Sequence, residues 1–474
     1  MFLARLLVLF SLVCISCAHS SFEQKQLKHA LDFATSNRLE LEILLQHYTY
    51  DSLKLEAAKF LIRNMPHCYS YQQGSEMDSV KRVRTYYSPF GQIDQTYARR
   101  WGHYTYRNLP KIYDAHIITA EYLIDNIDRA FDNWQKRPWN RSLSFEDFCE
   151  YLLPYRIGDE PLEEWRELYE KKYGYLLDSI YKGSDVVEAA NLVSRHLQEP
   201  VFIYCEDFEL PHIGPRYLFS HRYGSCVDAA DIVTYAFRAV GIPCMEDTDA
   251  RGGHVWNVVR DTTGRDVPIW YIASEAVRGS RDTGGYKRGK VYRPMYGFQE
   301  AKAAHLGDDW KSMPLLFYHP YMKDVSYAYY PDTLRILTGI PDDEVCYLAH
   351  FHEAHWWSCA CARSASGKME IPNLESELVY LPMKYTKGNY YSSGFPFWFA
   401  GGEINTFLPD WEKTVKVRLY RKYPVYGWLR SFMGHVVGGT FEGSMTKNFE
   451  DGKTLYEIAD TPVIARNRIF LNKS

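Results

Sequence analysis

The chain has 474 residues, of which 46% are hydrophobic and 24% charged, and its net charge is −4. Such a length predicts several domains rather than one core, and such a composition excludes long disorder. The near-neutral balance, with no Lys/Arg block, argues against a nucleic-acid partner.

Residues 1–17 read as a targeting segment. Arg5 supplies a positive start, and the run LLVLFSLVCIS is apolar but too short to span a bilayer. It ends in Cys14-Ile15-Ser16-Cys17. A Cys after a small residue at this point resembles a bacterial lipobox, which implies cleavage before Cys17 and a lipid on its thiol. An ordinary signal peptide cut nearby is the other reading. Both imply export. The lipid would tether the chain to the cell envelope, at the periplasmic face or the cell surface, without inserting protein.

A helical region is expected over 22–150. Residues 22–64 carry apolar residues at helical spacing, with an Asp51 cap and a stop at Pro66. Residues 112–136 predict another helix. Ser144, three residues before Asp147, predicts a helix cap, and Pro154 ends that helix. Residues 161–197 look helical again. Beyond 200, VFIYCEDF reads as a strand, and GSCVDAADIVTYAFRAVGIP as a loop and a helix stopped by Gly241. HVWNVVRDTTGRDVPIWYIAS reads as a β-hairpin turning at Asp261–Gly264. Beyond about 300 short strands between Gly, Pro, Asn and Asp predict a β-sandwich, placed at 299–406. EVCYLAHF, HWWSCACARS, ESELVYLPMKY and KTVKVRLYRKY are examples. Residues 407–474 resemble the start of a discoidin-like sandwich without the length to complete one. The eight cysteines beyond the targeting segment are irregularly spaced and assign no disulfide.

The chemistry concentrates in 222–275. The predicted helix begins at Gly224-Ser225-Cys226, so Cys226 faces unpaired backbone N–H groups and the positive end of the helix dipole, which favour thiolate. A thiolate there attacks an amide or ester carbonyl and holds the acyl group as a thioester. The Cys226 N–H is a natural oxyanion donor. His254 follows 28 residues later (254 − 226) at the start of the next strand. Gly252-Gly253 before it permit close backbone approach. An imidazole near the helix start would take the thiol proton and return it to the leaving amine.

Gly224-Ser225-Cys226, then Arg238-Ala239-Val240-Gly241-Ile242-Pro243, then His254-Val255-Trp256 together resemble the transglutaminase-like superfamily of papain-type thiol proteins. The resemblance implies an α+β core over 151–298, with a helix packed on an antiparallel sheet, Cys226 as nucleophile and His254 as base. It implies no cofactor and a peptide, protein or glycopeptide substrate. That family completes its triad with an acid on the strand after the His strand. Pairing Arg260 with Arg265 in the hairpin sets His254 opposite Tyr271, and a slip of one sets it opposite Ile272. Neither is a carboxylate, and Asp266 lies near the turn, too far away. Glu275, reaching back, or the Tyr271 hydroxyl are the candidates to orient the imidazole. The missing acid also leaves open an inactive scaffold that binds glycan or peptide.

Tyr155, Arg156 and Trp256 are the expected walls of the substrate cleft, with Arg156 meeting a carboxylate or sugar hydroxyls. A loop of solvated ion pairs is the alternative for Tyr155 and Arg156. The chain holds 39 Tyr and 12 Trp, which serve either cores or sugar-stacking surfaces, and Trp134 and Trp139 pose that choice locally. His350, His352, His355, Cys359 and Cys361 form a tract rich in metal-binding residue types, but their spacing matches no metal site, and no metal is expected.

Overall fold

The computed structural model describes residues 21–410, apart from 76, 79–80, 82–105, 198–201, 205–209, 252, 271, 273, 281–286, 301–312, 338–339 and 353–354, together with 412, 438–446 and 450–458. The architecture is α+β, and its larger sheets are antiparallel. The chain divides into two units, Met1–Trp310 with Tyr318–Tyr329, and Lys311–Phe317 with Tyr330–Ser474. The regions expected at 22–150 and 151–298 thus lie in one unit. Among the described residues no helix is long and apolar enough to cross a membrane.

In the first unit, α1 (residues 21–33), α2 (Arg38–His47) and α3 (Ser52–Asn64) open the chain. Asp51 caps α3 by accepting from the Lys54 N–H at 3.1 Å. Strands β1 (Tyr69–Tyr71) and β2 (Lys111–Tyr113) pair antiparallel before α4 (Ala120–Lys136). The helix expected over 112–136 therefore begins later, at the Thr119 cap. Ser144 caps α5 (Phe145–Tyr151) through the Asp147 N–H at 3.1 Å, as its spacing predicts. The stretch 161–197 splits into α6 (Arg166–Tyr175), a wider turn over Leu176–Ile180, and α7 (Val186–His196). Both tryptophans in question pack inward: Trp134 stacks on Phe148 at 4.3 Å, and Trp139 is buried.

A short parallel pair, β3 (Ile203–Tyr204) and β4 (Tyr223–Gly224), flanks α8 (Pro215–Ser220) and leads into α9 (Cys226–Ala239). Helix α9 is buried on every side from Asp228 to Ala239. Its last carbonyls are met by the earlier helical segment. Asn133 Nδ2 donates to the Ala239 carbonyl at 3.1 Å, Arg137 Nε to Val240 at 2.8 Å, and Trp139 Nε1 to Gly241 at 2.9 Å. Gly241 has φ +81, and a Cβ there would lie 2.7 Å from the Asn133 carbonyl oxygen. Gly241→Ala is therefore expected to cost about 2 kcal/mol or more, since left-handed strain and a backbone clash add. Chemical denaturation reads this directly, and a cost below about 0.5 kcal/mol would refute the clash.

Strands β5 (Cys244–Asp249), β6 (Val255–Arg260), β7 (Asp266–Ile269), β8 (Val291–Pro294) and β9 (Met322–Asp324) form one antiparallel sheet in the order β7-β6-β5-β8-β9. The β6–β7 register pairs Arg260 with Asp266, one residue from the expected Arg265. The cause is the loop. The Asp261 N–H reaches the Arg265 carbonyl at 2.8 Å, so five residues, 261–265, make the turn where four were expected.

One titrating side chain in this unit carries a stability consequence. His67 stacks on Tyr321 with ring centroids 3.5 Å apart. Burial, aided by His319 and Arg156, pushes it down to about 3, against a weaker pull upward from the Asn64 backbone. The folded imidazole stays neutral while the unfolded one binds a proton below about pH 6.5, so stability is lost as pH falls from 6.5 toward 3. The expected loss from this residue is on the order of 3 kcal/mol at pH 4. Denaturation curves at pH 7, 5.5 and 4 should show His67→Phe losing less than wild type. A constant difference across pH would refute it.

In the second unit, β10 (Leu334–Leu337) pairs with β13 (Lys368–Ile371). Strands β11 (Val345–His352), β12 (His355–Arg363), β14 (Leu378–Thr386), β16 (Phe397–Ala400) and β17 (Glu403–Thr406) form a sheet in the order β12-β11-β14-β16-β17, with β15 (Asn389–Ser392) beside β14. Leu348, Tyr380, Phe397 and Phe399 fill one face. Strands β18 (Thr440–Gly443) and β19 (Lys453–Glu457) make a separate hairpin. The strand expected at KTVKVRLYRKY lies outside the described residues.

Candidate active site

Cys226 is the first residue of α9 and is half-buried. The Asp228 carboxylate secures the helix start, accepting from the Ser225 N–H at 2.7 Å and the Ser225 hydroxyl at 3.1 Å. A Cβ on Gly224 would fall 2.2 Å from that carboxylate, so only glycine precedes the cap.

The helix and the His strand are tied together by side chains. Asn257 Nδ2 donates to the Ala230 carbonyl at 3.0 Å and to Thr234 Oγ1 at 2.9 Å. Farther along, Arg238 Nε donates to the Cys244 carbonyl at 3.1 Å, and Cys244 pairs with Val259 on β6. Helix α9 and strand β6 therefore run in the same direction. Going back from the Ala230–Asn257 contact reaches Cys226 after about 6 Å of helix and His254 after about 10 Å of strand. Both residues thus lie at one end of the helix–sheet layer.

His254 stands one residue before β6. Its carbonyl accepts from Thr248 Oγ1 at 3.0 Å, and Asp249 Oδ1 gathers the Arg251 and Gly253 N–H groups at 3.0 and 2.9 Å. These bonds fix the loop that delivers it. The ring stacks on Trp256 at 5.8 Å and 25°. Burial first, then the Arg288 and Arg251 cations, lower the proton affinity of His254, against Asp249 and a hydrogen bond to the Trp270 backbone. The group that steadies the imidazole is thus a main-chain carbonyl.

The candidate third residues fall elsewhere. Glu275 pairs with Arg195 at 2.8 Å, both half-exposed, and the adjacent Ala276 is held by Asn191 at 2.7 Å. Its carboxylate therefore serves a surface ion pair and not the imidazole. Tyr271, like Cys17, lies outside the described residues. Asp266 is buried between Arg293 at 2.8 Å and Arg260 at 3.2 Å and accepts from Tyr151 at 3.0 Å, which leaves it no part beside His254.

The expected cleft walls are corrected as well. Trp256 is 1% exposed. Its Nε1 donates to the Tyr329 hydroxyl at 2.9 Å, which donates to Asp247 at 2.6 Å, which binds Arg293 at 2.6 Å. It backs His254 and offers no surface to a substrate. Arg156 and Tyr155 are buried on Asp114: Arg156 Nε lies 2.6 Å and Nη2 2.5 Å from its carboxylate, and the Tyr155 hydroxyl 3.0 Å. Arg156 forms an ion pair, as one reading had it, with Tyr155 hydrogen-bonded to the same carboxylate, but inside the protein and not in solvent.

Two features escaped the sequence. His212 meets Asp231 of α9 at 2.9 Å. Burial alone would drive it neutral, but Asp231, with Asp159 and Glu160, overrides this and holds it protonated. The signal was a polar stripe, Asp228, Asp231, Thr234 and Arg238, on a helix otherwise apolar. Arg288 lies over the rings of both Trp256 and Trp270 at 5.0 Å. It follows a stretch with no pattern, and nothing local marked it.

In the tract of β11 and β12, His352 pairs with His355 and His350 with Trp357. Among the described residues no three His, Cys, Asp or Glu side chains group as metal ligands do. The described cysteines are all free thiols. Compared with protein-family models, curated proteins and solved structures, the chain matches none of them.

Proposed function

We propose that the chain is a transglutaminase-like thiol enzyme that cleaves or transfers an acyl group from an amide in a peptide, protein or glycopeptide. What supports this reading is that helix-start Cys226 and strand-start His254 stand at the same end of α9 and β6. In this reading His254 takes the Cys226 proton, the sulfur attacks the carbonyl carbon, and the C–N bond breaks as the imidazolium returns the proton to the leaving amine. Water then resolves the thioester. The positive dipole end at the start of α9 favours both thiolate and oxyanion. Helix α9 on the β5–β9 sheet plays the part of the papain-like core, and the second unit that of a β-sandwich accessory domain with a glycan-binding role. Export with a lipid on Cys17 is part of the same proposal.

Haloacetamide labelling tests it. Cys226 should label at least ~10-fold faster than the other described thiols, most of which are buried, and His254→Ala should slow it. A second reading, an inert scaffold, draws on Glu275 being held by Arg195 and not beside the imidazole. Labelling of Cys226 no faster than that of a free thiol with an ordinary proton affinity would favour the scaffold.

A further inference from the structure

We propose that Arg288 is a positioning residue for His254: laid across Trp256 and Trp270, it clamps the aromatic pair on which the imidazole stacks and adds a cation to that cluster. The inference deepens the thiol-enzyme reading and rests on it for its catalytic meaning, though not for its geometry.

The guanidinium is 5.0 Å from each indole ring, and Arg288 is 3% exposed. The rings are themselves 5.2 Å apart at 31°. One planar cation thus covers two electron-rich faces, an arrangement that strengthens as water is excluded. The backbone keeps it there. The Lys290 N–H bonds the Arg288 carbonyl at 2.9 Å, and Lys290 Nζ anchors to Asp324 at 2.6 Å just before β8 begins. Trp256 is pinned from its other edge by Tyr329 and Asp247. His254 stacks on Trp256, so whatever fixes that indole fixes the imidazole.

Among the described residues, Arg288 and Arg251 lower the proton affinity of His254, while Asp249 and a hydrogen bond to the Trp270 backbone raise it. Arg288 is the larger of the two cationic influences. A cation at this place disfavours the imidazolium. It leaves the resting imidazole neutral and ready to accept the thiol proton, and makes the imidazolium short-lived once formed. A triad carboxylate does the opposite, stabilising the imidazolium and the resting ion pair. The resting imidazole is therefore neutral, and the acid limb set by His254 should lie below the ordinary histidine range.

The test is an NMR pH titration of histidine-labelled full-length protein, with the His254 resonance assigned by His254→Gln. Wild-type His254 should titrate below pH 6.5. Arg288→Met should raise that midpoint by about one unit, and Arg288→Lys, which keeps the charge, by far less. Asp249→Asn, which leaves Arg288 untouched, should lower it further, and this arm decides the electrostatic claim if Arg288→Met fails to fold. An unchanged midpoint in Arg288→Met, or equal shifts in the Met and Lys variants, would overturn the proposal, as would an Asp249→Asn midpoint that does not fall. If the midpoints move as expected while wild-type Cys226 is inert to haloacetamide, the role of Arg288 stands and the thiol-enzyme reading fails.

Discussion

Replacing Cys226 with alanine should lower kcat/KM by about 10³-fold or more, while the thermal unfolding midpoint stays within about 2 °C of wild type. The two halves of this expectation have separate causes. A thioester needs the sulfur, and no neighbouring group can form it. The fold does not need it: Cys226 is half-buried at the first position of α9, and the cap belongs to Ser225 and Asp228. Alanine is the best helix former, so the helix keeps its start. His254→Ala should lower turnover as well, but its loss should shrink as pH rises, because hydroxide then removes the thiol proton. A Cys226→Ala protein that keeps turnover would assign the nucleophile elsewhere. A protein that loses both turnover and stability would show that Cys226 supports the helix. Peptide-amide hydrolysis with purified protein, beside a melting curve of the same sample, separates these results.

What could be read from the residues follows from how local each signal was. The bounds of α9 were legible because caps are short-range chemistry: Gly224-Ser225-Cys226 at one end and the positive φ of Gly241 at the other. Strands β11, β12 and β14 were legible by composition. The β6–β7 register was left open between two pairings one residue apart, and the slipped one is found, because it depends on which carbonyl the Asp261 N–H finds, and sequence pattern does not decide between four and five turn residues. Glu275 was a fair candidate by strand alternation, yet Arg195, far back on α7, captures it. Arg156 failed for the same reason, since Asp114, 42 residues earlier, is invisible to any local window. The stripe on α9 was the one long-range signal open to reading. Polar side chains at helical spacing on a buried helix require partners: His212 meets Asp231, Glu246 and Asn257 meet Thr234, and the Cys244 carbonyl accepts from Arg238.

The Asp114 cluster carries the largest expected effect on stability. Asp114 is 0% exposed and holds Arg156 through two contacts, with the Tyr155 hydroxyl as a third donor. Arg156 also donates to the Glu160 backbone carbonyl, and its guanidinium lies 3.6 Å from the Glu160 carboxylate. That carboxylate in turn accepts the Ile157 and Gly158 N–H groups at 2.7 Å each. The loop before α6 is thus organised around one buried guanidinium, and Asp159 extends it by accepting from the His212 N–H at 2.9 Å. Asp114→Ala removes the closest counter-charge and leaves that cation with the Glu160 carboxylate at 3.6 Å, the Glu160 carbonyl and a cavity, and should cost about 3–5 kcal/mol. Arg156→Ala strands Asp114 and should cost a similar amount. The double change Asp114→Leu with Arg156→Met should recover a large part of either loss, because apolar side chains of like volume avoid the desolvation that the ion pair has to overcome. Denaturant titration of the three variants gives the coupling directly. Single variants within about 1 kcal/mol of wild type would mean that water reaches Arg156, and the side chain would again be a candidate to meet a substrate carboxylate.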